Sequence, residues 1–100
     1  MRVIALRTLL DSCESHVHGR EARQPVLAWH DEAKRATWKT PADVKAQYRN
    51  ASVLKNNRVV FNIGGNKFRL VVKIHYDRGI AYVRFIGTHA EYDAVDANTI

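Results

Sequence analysis

The hydrophobic pattern changes period at Asn56-Asn57, and few folds accommodate both halves. Before that point apolar residues recur every three or four positions, the spacing of one helix face. After it they recur every second position, the spacing of one strand face. Val59, Phe61 and Ile63 alternate with Arg58, Val60 and Asn62, and Gly64-Gly65-Asn66 then signals a tight turn. Phe68, Leu70, Val72, Ile74 and Tyr76 alternate with Lys67, Arg69, Val71, Lys73 and His75. Asp77-Arg78-Gly79 is a second turn, after which Ala81, Val83 and Phe85 alternate with Tyr82, Arg84 and Ile86. Short turns between such runs predict a three-stranded antiparallel meander. One face is apolar and must be covered; the other collects Arg58, Lys67, Arg69, Lys73, His75, Tyr82 and Arg84.

The first half supplies the cover. Val3, Ile4 and Ala5 suit a short first strand, and Leu6, Leu9, Leu10, Cys13 and Val17 suit an amphipathic helix ending near His18-Gly19. Ala22, Val26, Trp29, Ala33 and Ala36 form the stripe of a second helix, in which Pro25 either occupies the first turn or introduces a kink. Thr40-Pro41-Ala42-Asp43 reads as a third helix start, with Thr40 as cap, Pro41 in the first helical position and Asp43 at the positive end of the dipole. Val44 and Tyr48 give that helix its apolar side, and Trp29 and Trp38 are most simply packing residues. The fold class is therefore α+β: N-terminal helices packed on one face of an antiparallel meander. One domain over residues 1–100 is expected, mainly helical over 1–50, with the meander and a C-terminal helical turn over 57–95.

Charge narrows the function. The net charge is +6, and it is localised: residues 55–84 carry seven bases against the single acid Asp77, while +3 before them and −3 after them cancel. A neutral solvated face mixes signs, whereas this one is nearly all basic and offers the planar groups of Tyr82, His75 and the arginines for stacking on bases. An anionic partner follows, RNA or a single strand in preference to duplex DNA, since no recognition helix is evident. The opening MRVIALRTLL lacks an uninterrupted apolar stretch of signal type, and no run approaches the ~20 residues needed to span a bilayer. The lone Cys13 fits a reducing cytoplasm. Cys13, His16 and His18 match zinc spacings poorly, and Gly64-Gly65 lacks the context of a phosphate loop. Neither a metal nor another cofactor is expected.

After the last strand comes GTHAEYD, Gly87–Asp93. Thr88-His89-Ala90-Glu91 has the form of a capping box, in which Thr88 and Glu91 each satisfy the other's backbone N–H. His89 is then the first helical residue, with Tyr92 three and Asp93 four positions on, so the three share one side of the turn. A histidine at a helix N-terminus favours the neutral imidazole, which can act as a base.

RVVFNIGGNKFRLVVKIHYDRGIAYVRFIGTHAEYDAV, residues 58–95, closely resembles the HigB toxins, ribosome-dependent mRNA endonucleases within the RelE-like superfamily. Trp38, Pro41 to Ala46 and Val53-Leu54 resemble the family's central region, and the resemblance weakens before His18. It implies a compact RelE-like fold, two helices on a sheet of about four strands. It also implies cleavage of mRNA in the ribosomal A site and neutralisation by a helix-turn-helix antitoxin of HigA type, with specific DNA contact only through that antitoxin and no membrane. Such families cut without metal by attack of the ribose 2′-hydroxyl, which needs a base, an acid and cations around the phosphorane. By resemblance, Arg69 and Arg84 clamp the scissile phosphate. His89 is the general acid or base, with Tyr92 orienting it or donating instead. Asp93 either orients His89 or ends the motif. Lys67 and Lys73 hold flanking phosphates, Arg58 and Lys55 meet ribosomal RNA, and His75 is a weaker rival imidazole. The same basic face would also suit a non-catalytic RNA-binding module.

Overall fold

The computed structural model describes residues 1–4 and 19–100. The helix expected over residues 6–17 and the Cys13, His16 and His18 group lie outside the described residues. The elements are β1 (Arg2–Ile4), α1 (Gly19–Arg35), α2 (Pro41–Gln47), β2 (Ser52–Val53), β3 (Arg58–Ile63), β4 (Phe68–His75), β5 (Ile80–Thr88) and α3 (His89–Asp93). The sheet runs β1-β5-β4-β3-β2. The meander of β3, β4 and β5 is antiparallel as expected, and β1 joins parallel to β5, with Val3 opposite Ala81. The two-residue strand β2, which no alternation announces, pairs antiparallel with β3. An edge so short offers little backbone for unwanted pairing. No helix among the described residues is long and apolar enough to cross a membrane.

The change of period coincides with a backbone device. Asn56 and Asn57 both adopt positive φ, 59° and 61°, a conformation that asparagine tolerates better than most residues. The chain is thereby reversed from β2 into β3.

Helix α1 buries Ala22, Val26, Trp29 and Ala33, the expected stripe. Pro25 stands well inside it and not in the first turn. The Pro25 ring comes close to the β3–β4 turn: a Cβ built on Gly64 would lie 3.4 Å from Pro25 Cγ. Helix α2 starts as its sequence implies. Thr40 Oγ1 accepts from the Asp43 N–H at 3.3 Å, Asp43 Oδ2 accepts from the Thr40 N–H at 3.2 Å, and Pro41 fills the first turn.

Phe61 is the hub of the core between helices and sheet. Its ring stacks on Trp38 at 5.9 Å and meets the edges of Tyr48 at 5.1 Å and Trp29 at 5.4 Å. Polar tips on this cluster are largely partnered. Trp38 Nε1 donates to Gln47 Oε1 at 3.0 Å, and the Tyr48 hydroxyl donates to a Glu32 carboxylate oxygen. Burial, reinforced by that carboxylate, pushes the Tyr48 phenol well above its usual range. Trp29 Nε1 is buried with no partner.

The second face of the sheet differs from expectation: it is not open along its whole length. Across β3, β4 and β5 the register lays down three rows, Arg58–Lys73–Tyr82, Val60–Val71–Phe85 and Asn62–Arg69–Gly87. The middle row is apolar and is covered by Ala97, with Leu54, Tyr92 and Ile100 packed against it. Phe85 reaches this face because β5 carries a bulge. Val71 pairs with Phe85 and Val72 with Val83, leaving Arg84 as the additional residue. Past the bulge the alternation is reversed, so Ile86, and not Phe85, packs with the helix-side core.

Arg58 departs furthest from expectation. It is only 8% exposed, and its guanidinium donates to the carbonyls of Ile100 at 2.9 Å and Asn56 at 3.2 Å. The segment lying over the apolar row encloses it, so it serves as an internal tie and presents no free cation to RNA. Truncating the aromatic hub should be costly. Phe61→Ala is expected to lower unfolding free energy by about 3–5 kcal/mol, read from urea denaturation; a loss below about 1 kcal/mol would show the four rings to pack independently.

Candidate active site

Strand β5 ends at Thr88, whose partner Phe68 begins β4. Just past that pair, α3 starts on one strand and the turn at residues 64–67 closes the other, so His89 and the turn are neighbours at one rim of the sheet. Thr88 caps α3 as expected. Its Oγ1 accepts from the Glu91 N–H at 3.3 Å, and Glu91 Oε1 accepts from the Thr88 N–H at 2.9 Å.

Gly87 lets α3 sit this close. It is buried, and a Cβ added there would stand 2.8 Å from Phe85 Cζ and 3.0 Å from Glu91 Cβ. Those distances leave no room for a methyl group without moving the helix or the Phe85 ring. Gly87 is also the cross-strand partner of Arg69. No sequence pattern marks its role, since a lone glycine at a strand end reads simply as a turn signal.

Arg69 and His89 come together. Arg69 Nη2 lies 3.5 Å from His89 Nδ1, at the long end of hydrogen bonding. The other ring nitrogen, Nε2, bonds the backbone carbonyl of Asn66 in the β3–β4 turn. A guanidinium can only donate and a carbonyl can only accept. The two contacts are therefore jointly satisfied by an imidazole with its proton on Nε2 and its lone pair on Nδ1, directed at Arg69. Arg69 retains unused capacity: its Nη1 is buried and has no hydrogen-bond partner. A buried cationic donor without an acceptor is costly in isolation and well suited to an anion.

The other expected residues separate into groups. Lys67 is exposed in the turn beside Asn66, so it flanks the Arg69–His89 pair from the turn and not from a strand face. Arg84 is exposed at the bulge, roughly 7–10 Å along the sheet from Arg69 at about 3.3 Å per residue. Lys73, His75 and Tyr82 lie beyond the apolar row, where the His75 and Tyr82 rings meet edge to face at 5.3 Å. Helical spacing places Tyr92 and Asp93 on the His89 side of α3. His89 bonds neither of them; Tyr92 packs against the Val60, Val71 and Ala97 cluster, and Asp93 is exposed at the end of α3. Proximity on a helical turn did not override the apolar pull on the Tyr92 ring. Sequence reasoning missed Asn66 and Gly87. Only the asparagine carried a signal, through its place in a turn rich in positive φ.

Two substitutions separate scaffold from chemistry. Gly87→Ala is expected to cost about 1–3 kcal/mol through overpacking and to weaken protection of α3 amides in hydrogen exchange; unchanged protection would show that Phe85 yields freely. Glu91→Ala is expected to lower stability by about 1 kcal/mol through the lost cap, read by thermal denaturation, and a fully stable variant would assign the carboxylate elsewhere.

The family model described as HigB_toxin, RelE-like toxic component of a toxin-antitoxin system, matches residues 22–95, which include Asn66, Arg69, Arg84, Gly87 and His89. Among curated relatives are the mRNA interferase toxin HigB of Escherichia coli strain K12 and the mRNA interferase HigB of Escherichia coli O157:H7 and of Shigella flexneri. Each is 27% identical over 95 residues, covering 93% of this chain and 88% of the relative. With an α+β fold of helices on a mostly antiparallel sheet, and a match over most of its length, the chain belongs to the HigB toxin family, RelE-like toxic components of toxin–antitoxin systems.

Proposed function

We propose that this protein is a ribosome-dependent mRNA endonuclease that arrests translation in the cytoplasm and is neutralised by a helix-turn-helix antitoxin of HigA type. The observation that carries the proposal is the Arg69–His89 pair. A guanidinium with a buried, unpartnered nitrogen lies beside the Nδ1 edge of an imidazole, at the rim of a basic sheet. The names of the relatives, mRNA interferases, support the same reaction class.

In the proposed reaction the ribose 2′-oxygen attacks the adjacent phosphorus, and the bond to the 5′-oxygen of the next nucleotide breaks. The products are a 2′,3′-cyclic phosphate and a free 5′-hydroxyl. Arg69 binds the non-bridging oxygens as negative charge builds on the phosphorane, and its planar fork suits them better than an ammonium would. His89 Nδ1 accepts the 2′-hydroxyl proton. Arg84 and Lys67, exposed on either side, hold the neighbouring phosphates, and Lys73, His75 and Tyr82 form a second contact beyond the apolar row. The proton for the 5′-oxygen comes from the Tyr92 hydroxyl or from the imidazolium formed in the first step. This chemistry requires no metal on the protein, so protein treated with EDTA and dialysed before addition to ribosomes in Mg²⁺ buffer is expected to cleave at an unchanged rate.

A non-catalytic RNA-binding module is the second reading, supported by the absence of a bond from His89 to either Tyr92 or Asp93. Mapping of mRNA 5′ ends on translating ribosomes separates the two. Arg69→Ala is expected to slow cleavage by about 10²–10³-fold and His89→Ala by about 10²–10⁴-fold, both relieving growth inhibition while the proteins remain folded. Wild-type cleavage by folded Arg69→Ala would remove that residue from the site. Ribosome binding without any new 5′ ends would favour the module.

A further inference from the structure

The β3–β4 turn does more than reverse the chain. Gly64, Gly65 and Asn66 occupy three consecutive left-handed positions, with φ of 62°, 63° and 70°. Such a run is natural for two glycines and tolerable for asparagine, and it is strongly disfavoured for a β-branched residue. It brings the Asn66 carbonyl to His89 Nε2. Two further contacts hold the turn in place: the Lys67 N–H bonds the Gly64 carbonyl at 3.3 Å, and Gly64 sits against Phe68 and Pro25 so closely that a Cβ would stand 3.0 Å and 3.4 Å from them.

We propose that the Asn66 carbonyl is a positioning group that selects the His89 tautomer, keeping the proton on Nε2 and the lone pair on Nδ1, beside Arg69. The role rests on the nuclease proposal for its consequence but not for its existence. An imidazole alone on a surface exchanges between its two neutral tautomers. In the alternative form Nδ1 would carry a hydrogen facing an arginine that can only donate, and Nε2 would turn a lone pair toward a carbonyl that can only accept. Both contacts would then be repulsive, and the ring could not take a proton on the Arg69 side. Hydrogen bonding by one ring nitrogen determining the state of the other is a general property of histidine. The selector here is a main-chain atom, so the side chain of Asn66 matters only through the backbone angle that it permits.

The direct test is nitrogen NMR of histidine-labelled protein, with the His89 signals assigned by difference from His89→Gln among the five histidines of the chain. Wild type is expected to show a protonated Nε2 and an unprotonated Nδ1 for the neutral ring. Asn66→Val, which disfavours the left-handed angle, is expected to give mixed tautomers and to reduce the rate constant for mRNA cleavage by about 10- to 100-fold, short of the ~10²–10⁴-fold loss for removing an acid–base group, with little change in KM. Asn66→Gly keeps the angle and the carbonyl and should restore both signal and rate. A wild-type ring protonated on Nδ1 would overturn the proposal without any variant, as would an unchanged tautomer in folded Asn66→Val. An anchored tautomer in a wild-type protein that cuts no mRNA would support the anchor and overturn the nuclease proposal, so the two fail separately.

Discussion

The pairing of Phe68 with Thr88 and of Arg69 with Gly87 at one rim of the sheet is the constraint on which the site depends. A shift of one residue in that register would send Arg69 to the helix-side core and Leu70 to the outer face, a reversal that the buried apolar set forbids. Register alone is not sufficient. Gly87 has no side chain, so α3 can fold back against the strand that precedes it, and the capping box of Thr88 and Glu91 defines where that helix begins. Arg69 and His89, twenty residues apart in the chain, meet because strand pairing, a missing methyl and a cap act at one place.

The bulge at Arg84 has the opposite kind of effect, separating what alternation would have joined. By adding one residue to β5 it moves Phe85 onto the outer face, beside Val71, and releases Ile86 to the core with the helices. The outer face thereby gains an apolar row that must be covered, and Ala97 together with Tyr92 and Ile100 covers it. Arg58 is drawn into the same packing as a tie to the carbonyls of Ile100 and Asn56. One continuous basic surface becomes two polar regions with a hydrophobic seam between them. A substrate contacting both would span the seam, with Arg84 exposed beside it.

Much of this was legible in advance. The meander, its two turns, the stripe of α1, the caps of α2 and α3 and the localisation of positive charge are all local properties: each depends on residues within one or two turns of each other, where spacing and side-chain type decide. The outward side of β4 for Arg69 and the head of α3 for His89 were likewise legible, although only the family resemblance singled the two out from the other polar residues. The bulge was not, because an insertion of one residue leaves no mark in composition, and with Phe85 and Ile86 both apolar the run from Ala81 reads as unbroken alternation. Nor was the fate of Tyr92, an amphipathic ring that helical spacing offered to His89 and that the apolar row of the sheet claimed.

The amino-acid order by itself determined the class of the fold, the positions of the strand turns and the sign of the charge presented, since these follow from periodicity, from the backbone freedom of Gly and Asn, and from counting. The tertiary structure alone decided which cations remain exposed, what each ring nitrogen of His89 faces, and how far the outer face stays open. Those outcomes depend on contacts between segments distant in the chain, where burial and hydrogen-bond complementarity, acting through atoms as unspecific as a main-chain carbonyl, choose among alternatives that local sequence leaves equal.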